Sequence, residues 1–148
     1  MTIEQLEIIH WLNGAFYADK KLQSLKAQRD RLRTLSQHIT VCYDGNDKGK
    51  SDGRSNNTEN ALMKFAEINE QIDNEINNLM QMYSKIDAAI NCIDDDIAQV
   101  IFRRRYLAFQ TIEKIAEEMH YSTRNIKYIH KKNLEKIAPF CMALRPKK

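Results

Sequence analysis

The chain has 148 residues, 43% of them apolar, and a net charge of +3. That length holds one domain, or a small domain with an extended element, and excludes a large enzyme fold. Four glycines and two prolines leave little to punctuate strands, so an all-α fold is expected. No apolar run approaches the roughly 18 residues of a membrane span. The start, MTIEQLEIIHW, lacks the basic stretch and small-residue cleavage site of a signal peptide, so a cytoplasmic protein with no membrane partner is expected.

The charge is unevenly spread. Residues 1–100 hold 11 Lys plus Arg against 16 Asp plus Glu, a balance of −5, and the remainder holds 12 against 4, a balance of +8. A module with that field favours a polyanion as partner. Cys42, Cys92 and Cys141 are widely separated with no CxxC pair, which reads as reduced thiols rather than a disulfide framework or zinc site. His10, His38, His120 and His130 are scattered, with no HExxH, and no nucleophile has a base near it in sequence. No enzyme, metal or cofactor is expected.

In chain order, Thr2 and Gln5 make a capping-box start for a helix turning Leu6, Ile9 and Leu12 inward, and Asn13-Gly14 marks its end. Trp11, Phe16 and Tyr17 gather at that bend, more as a small satellite core than as a ligand box. From Ala15 to Thr40, the residues Ala15, Ala18, Leu22, Leu25, Arg29, Leu32, Ser36 and Ile39 recur at spacings of three and four, with Leu35 widening the stripe. They read as one arm of a coiled coil. Lys20, Lys21, Lys26, Arg31 and Arg33 lie outside this stripe. They could touch DNA, but acids on a partner helix are the more ordinary match.

Residues 43–58, YDGNDKGKSDGRSNNT, hold three of the four glycines and read as a flexible loop at the tip of a hairpin. The loop has no GxxxxGK[ST] and no preceding strand, so it is no phosphate-binding loop. Then Leu62, Phe65, Asn69, Ile72, Ile76, Leu79, Tyr83, Ile86, Ile90 and Ile93 repeat as a and d positions of a second arm. Asn69 at an a position would fix register, and Arg29 in the first arm would face Glu67 or Glu70. Ile68, Met80 and Met82 are expected off the seam. An antiparallel hairpin buries only one face of each arm, so a homo-oligomer formed through the arms is expected. The hairpin is assigned to residues 1–93.

Asp94, Asp95 and Asp96 read as cap and first-turn anions of a helix over Ile97–Leu107, since adjacent helical carboxylates cannot converge on one metal. Ile97, Val100, Ile101 and Leu107 would pack beneath the next two helices, leaving Arg103, Arg104 and Arg105 outside as phosphate contacts. In TIEKIAEEMHYSTRNIKYIHKKNLEKI, Ile112, Ile115, Ala116 and Met119 form one apolar face, and Tyr121 continues the register. Ser122 opens a new helix, with Ala116 small where two helices cross. Ile126, Ile129, Leu134 and Ile137 of this last helix, about 122–137, point to the core. Its other face collects Ser122, Thr123, Arg124, Lys127, Tyr128, Lys131 and Lys132, with Glu135 nearby. Two short amphipathic helices with a basic face are common in helical proteins, but donors and cations on one side also suit a groove lined by phosphates. Pro139 would end the helix, and 139–148 would form a basic tail.

The stretch VIFRRRYLAFQTIEKIAEEMHYSTRNIKYIHKKNLEKI resembles DNA-binding region 4 of sigma factors. The resemblance rests on Arg105-Tyr106-Leu107 before the turn, Ile115-Ala116-Glu117-Glu118 in the first helix, Ser122 opening the second and Leu134 near its end. It departs at Phe109 and His120, where related modules often carry Gly. The wider layout, a helical hairpin with a Gly/Ser/Asn-rich loop and this module last, is similar to small phage and prophage late-gene regulators of the ArpU and RinA kind. That resemblance implies a long antiparallel coiled-coil hairpin followed by a three-helix helix-turn-helix module at 94–138. It also implies a transcription regulator of phage or mobile-element origin that binds double-stranded DNA, with RNA polymerase as a further candidate partner. Ser122, Thr123, Arg124, Lys127, Tyr128, Lys131, Lys132, Arg103 and Arg104 are the expected DNA-binding residues. A small terminase subunit for DNA packaging and a coiled-coil adaptor that binds no DNA are the rival readings.

Overall fold

The computed structural model describes the backbone of residues 1–43 and 51–143, and side chains outside 38–58 and 142–148. Among the described residues all regular structure is helical: α1 (Ile3–Leu12), α2 (Gly14–Tyr43), α3 (Ser51–Asn91), α4 (Asp96–Tyr106), α5 (Ile112–Met119) and α6 (Thr123–Ala143). None of these helices is long and apolar enough to cross a membrane. The chain divides into two compact units, one made of Met1–Ala18 with Leu79–Lys148 and the other of Asp19–Asn78.

In the first unit, α1 starts on the expected capping box. The Gln5 amide donates to Thr2 Oγ1 at 3.3 Å and the Thr2 amide to Gln5 Oε1 at 3.2 Å. Gln5, Ile8 and Leu12 are the buried positions, whereas Leu6, expected inward, is exposed. The aliphatic stem of Gln5 goes inward together with its capping bond, which rotates the helix away from Leu6. At the other end of this unit, Asp95 caps α4 by accepting from the Ile97 amide at 3.0 Å, and Asp96 sits in the first turn. Gln99 reaches back to the Ile93 carbonyl at 2.6 Å and fixes the link between α3 and α4.

One hydrophobic cluster joins Ile8 and Leu12 of α1, Ala15 of α2 and Ile86, Ala89, Ile90 and Ile93 of the α3 end. Ala98, Phe102 and Tyr106 of α4 and Leu134, Ile137 and Cys141 of α6 complete it. A smaller cluster of Ile101, Ile115, Ala116 and Ile126 holds α4, α5 and α6 together. Ile101 and Leu107 are inward as expected, but Ile97 and Val100 are exposed, because the buried face of α4 runs through Ala98, Ile101, Phe102 and Tyr106. Residues 79–93 therefore share one core with α4 and α6, where the sequence placed them in a separate hairpin. Of the aromatics near the bend, Phe16 meets Phe109 edge-on at 5.6 Å and Tyr17 remains exposed.

Helix α6 continues through Pro139, which was expected to end it. Proline removes one helical hydrogen bond and crowds the preceding turn. Ile137 and Cys141 on the two sides of Pro139 are nevertheless buried in the main cluster, and that burial carries the helix onward.

In the second unit, α2 and α3 run in opposite directions: Lys21 Nζ lies 3.4 Å from Glu75 Oε2, and Arg33 lies over the ring of Phe65. On α2, Leu22 is buried and Leu25, Arg29, Leu32 and Ser36 are half-buried, as the spacing predicts. Ile39 lies outside the described side chains. On α3 the inward line is rotated from the one expected. Phe65, Ile68, Ile72 and Glu75 face inward, Asn69 and Ile76 are half-buried, and Leu62 is 59% exposed. In the first unit the same rotation turns Met82 to the core and Tyr83 outward, while Met80 is exposed as expected. Heptads at d with a and heptads at d with g share the same d residues, so spacing alone does not tell which flank turns in. Arg29 lies 3.6 Å from its own neighbour Asp30, and the ion pair between the arms is Lys21–Glu75, not one from Arg29 to Glu67 or Glu70.

Helix α3 begins at Ser51, so 51–58, expected as loop, is helical; 44–50 lies outside the described residues. A helix already nucleated extends through polar residues at one hydrogen bond per residue, and Gly53 costs only about 1 kcal/mol relative to alanine. The expectation of a basic tail over 144–148 also lies outside the described residues.

The turn from α5 to α6 passes through His120 in the left-handed region, φ 58° and ψ 37°. The His120 amide donates to Glu117 O at 3.3 Å and the Tyr121 amide to Ala116 O at 3.0 Å, which satisfies the last carbonyls of α5. Phe109, before α5, is also left-handed, with φ 59°. These are the two positions at which the resembling modules often carry Gly. His120→Gly should stabilise the chain by about 1 kcal/mol by removing left-handed strain. Phe109→Gly should instead destabilise it by about 1–3 kcal/mol, because its ring packs on Phe16 and the main cluster. Ala116→Leu should cost about 1–3 kcal/mol by overpacking the smaller cluster. Urea unfolding of the three variants measures all of these effects.

Candidate nucleic-acid interface

Helix α6 has two faces of opposite character. Ile126, His130, Asn133, Leu134 and Ile137 are buried, whereas Thr123, Arg124, Lys127, Tyr128, Lys131 and Lys132 are exposed, Tyr128 at 63%. Positions 124, 127, 128 and 131 follow the helical repeat and form one stripe, with Thr123 and Lys132 on its two edges and Glu135 at its far end. Among the described residues, no acid lies within ion-pair distance of Arg124, Lys127, Lys131 or Lys132. Ser122, also exposed, opens the helix by accepting from the Asn125 amide at 3.1 Å.

The arginines of α4 are placed differently. Arg103 pairs with Asp87 and donates to Asn91 at the end of α3, and Arg104 pairs with Glu118 of α5. Arg105 donates to the Gln110 carbonyl at 3.1 Å. Successive helical residues point about 100° apart, so three adjacent guanidiniums reach three different neighbours. Arg103 and Arg104, expected as phosphate contacts, each join α4 to a neighbouring helix. Such half-exposed pairs are worth about 0–1 kcal/mol each. The reason is local: Asp87, Asn91 and Glu118 sit within reach and compensate the charge before any external anion.

Asn125 stands outside the cationic pattern of this face. It is exposed on the first turn of α6, three residues after the capping serine and three before Tyr128. An amide there can pair with the edge of an adenine, whereas lysines address backbone phosphates. Its place in the first turn after the cap was the available signal.

Beneath the stripe lies a polar pair that the sequence did not reveal. His130, only 8% exposed, stacks on Phe102 with ring centres 4.8 Å apart, and its Nε2 is 2.6 Å from the Tyr106 hydroxyl. Burial, and to a lesser degree the Arg105 guanidinium, lowers the imidazole from its usual 6.5 to about 4. Burial raises the Tyr106 phenol well above its ordinary range, partly opposed by Arg105. Both groups are thus neutral at pH 7, and the tautomer of the imidazole sets which of them donates. Asn133 closes the same face by donating to the Ile129 carbonyl at 2.8 Å.

What this surface offers is a row of cations, an amide and an exposed phenol, carried on a helix whose opposite side is anchored in the core. No family model, no curated protein and no solved structure matches the chain.

The unfolded chain protonates His130 near pH 6.5 and the folded one only near 4, so its stabilising neutral form is fully present above pH 6.5 and lost as pH falls through that window. The loss amounts to roughly 3 kcal/mol. Urea unfolding of the native chain against His130→Gln should show this component in the native chain alone. Parallel pH profiles would refute the buried neutral pair.

Proposed function

We propose that the chain is a sequence-specific DNA-binding regulator of transcription, in which α5 and α6 form a helix-turn-helix and α6 enters the major groove. The observation that carries this reading is the stripe of Arg124, Lys127, Tyr128 and Lys131, exposed and, among the described residues, without acid partners on a helix whose other face is buried. Cations in such a row meet phosphates, and side chains in the first turns of such a helix reach base edges. The excess of positive charge after residue 100 supports the same partner. Arg103 and Arg104 serve in this reading as clasps that hold α4 to its neighbours.

The resemblance to sigma region 4 and to small phage regulators supports a role at promoters, with RNA polymerase as a further partner. In that reading, residues 19–43 and 51–78 are the arms of a coiled-coil hairpin. The proposed role is binding rather than catalysis, with no cofactor, in the cytoplasm.

Selection from random duplexes should return a consensus site, and fluorescence anisotropy on it should show affinity falling steeply with salt. Arg124→Ala should lose about 1–3 kcal/mol of binding if its guanidinium reads a base, whereas Lys127→Ala should weaken all sequences alike and flatten the salt dependence. Both variants should keep native helix content by circular dichroism. Unchanged affinity in both would refute the interface. A chain that forms no salt-dependent complex at all would be an adaptor, and one that binds duplexes without driving a promoter reporter would fit DNA packaging.

A further inference from the structure

The described residues of 19–78, one of the two compact units, supply little core of their own. Both hydrophobic clusters of the described residues draw every member from the other unit. Among the described side chains of 19–78, those buried are Leu22, Ile68, Ile72 and the acid Glu75, while Leu25, Leu32, Phe65 and Ile76 are only half-covered. Two isolated helices with so narrow a seam, carrying Arg29 and Glu75 in it, bury too little to hold a long pair firmly.

The rotation of α3 leaves an apolar line outside that seam. Leu62, Asn69 and Ile76 are one heptad apart and lie together on one flank of the inward line, with Leu62 exposed and the other two half-covered. A heptad kept on an uncovered flank has no use in a two-helix pair. It has one where further helices pack against it, and an asparagine within it selects register.

Charge on the same unit points to what covers the line. Beside the line, α3 exposes Glu70 and Asp73, and the outer side of α2 exposes Lys26 and, one heptad on, Arg33. When Lys21 is set beside Glu75 and Arg33 beside Phe65 in an antiparallel pair, helical periodicity places Lys26 and Arg33 on the same side of the pair as Leu62 and Ile76. One side of this unit is thus acidic and apolar along α3, and along α2 it carries Lys26 and Arg33 around Asp30, whose charge is already met by Arg29. Turning a second copy about a two-fold axis parallel to the arms sets each basic helix against the acidic helix of its mate.

We propose that this side is the interface with a second copy of the chain, and that two hairpins form a four-helix bundle in which α2 of one copy lies against α3 of the other. The bundle covers Leu62 and Ile76, pairs Asn69 across the axis region and matches Lys26 and Arg33 with Glu70 and Asp73 of the mate. A self-complementary patch of this kind closes at two copies. The inference does not depend on the DNA-binding reading, since the arms can pair whether or not α6 meets a duplex.

Sedimentation of the full chain at micromolar concentration tests it. The native chain should sediment at twice the mass of one chain. Glu70→Lys with Asp73→Lys in one variant, and Lys26→Glu with Arg33→Glu in another, should each shift to the single-chain mass, since each homodimer then faces like charge. Mixed in equal amounts, the two variants should return to the double mass, because basic again meets acidic across the axis. A native chain that sediments as a single copy overturns the proposal. So do swapped variants that stay dimeric alone, and a mixture of the two that fails to recover.

Discussion

The burial of one side of α6 is the constraint from which the first unit follows. Its N-terminal half shares Ile126 with Ile101, Ile115 and Ala116, and its later residues Leu134, Ile137 and Cys141 share a core with α1, α4 and the end of α3. The helix is thereby fixed along its length and in rotation. Rotation is what matters for its exposed side, since a quarter turn that brought Lys132 inward would turn Leu134 out. The Tyr106–His130 bond adds a directional contact to this apolar seating, because a buried hydrogen bond rejects arrangements that leave either group unpaired.

Much of this was legible in the residues. The capping box at Thr2, the cap at Asp95, the break around His120 and the apolar faces of α5 and α6 follow from spacing and from the few side chains that can satisfy helix ends. The stripe on α6 was readable for the same reason, as the complement of its apolar positions. The partners of long charged side chains were not. Arg103 and Arg104 looked like surface cations because Asp87 and Glu118 lie 16 and 14 residues away in sequence, and no local pattern announces such meetings. His130 gave no sign of burial, since a histidine fits either side of an amphipathic helix.

The arms show a different limit. That α2 and α3 are long helices was plain from periodicity, but the flank of α3 that turns inward was not, because Ile68 and Glu75 compete with Asn69 and Ile76 on equal spacing. The charged pair between the arms is decided by that rotation: with Glu75 turned in, Lys21 becomes its neighbour, and Arg29 is left with Asp30. An acid in the seam is costly to desolvate unless paired, and Asn78 adds a donor at 3.2 Å to the one from Lys21.

Pro139 gives α6 an uneven build. The ring has no amide hydrogen to offer, so the carbonyl of Glu135, four residues earlier, lacks its usual helical donor. Any flexing of the rod then concentrates past the midpoint, toward Cys141 and α1, and spares the stretch from Thr123 to Leu134. The half that presents its cations outward keeps an unbroken ladder, and the missing bond falls in the half whose Ile137 and Cys141 are held by the main cluster.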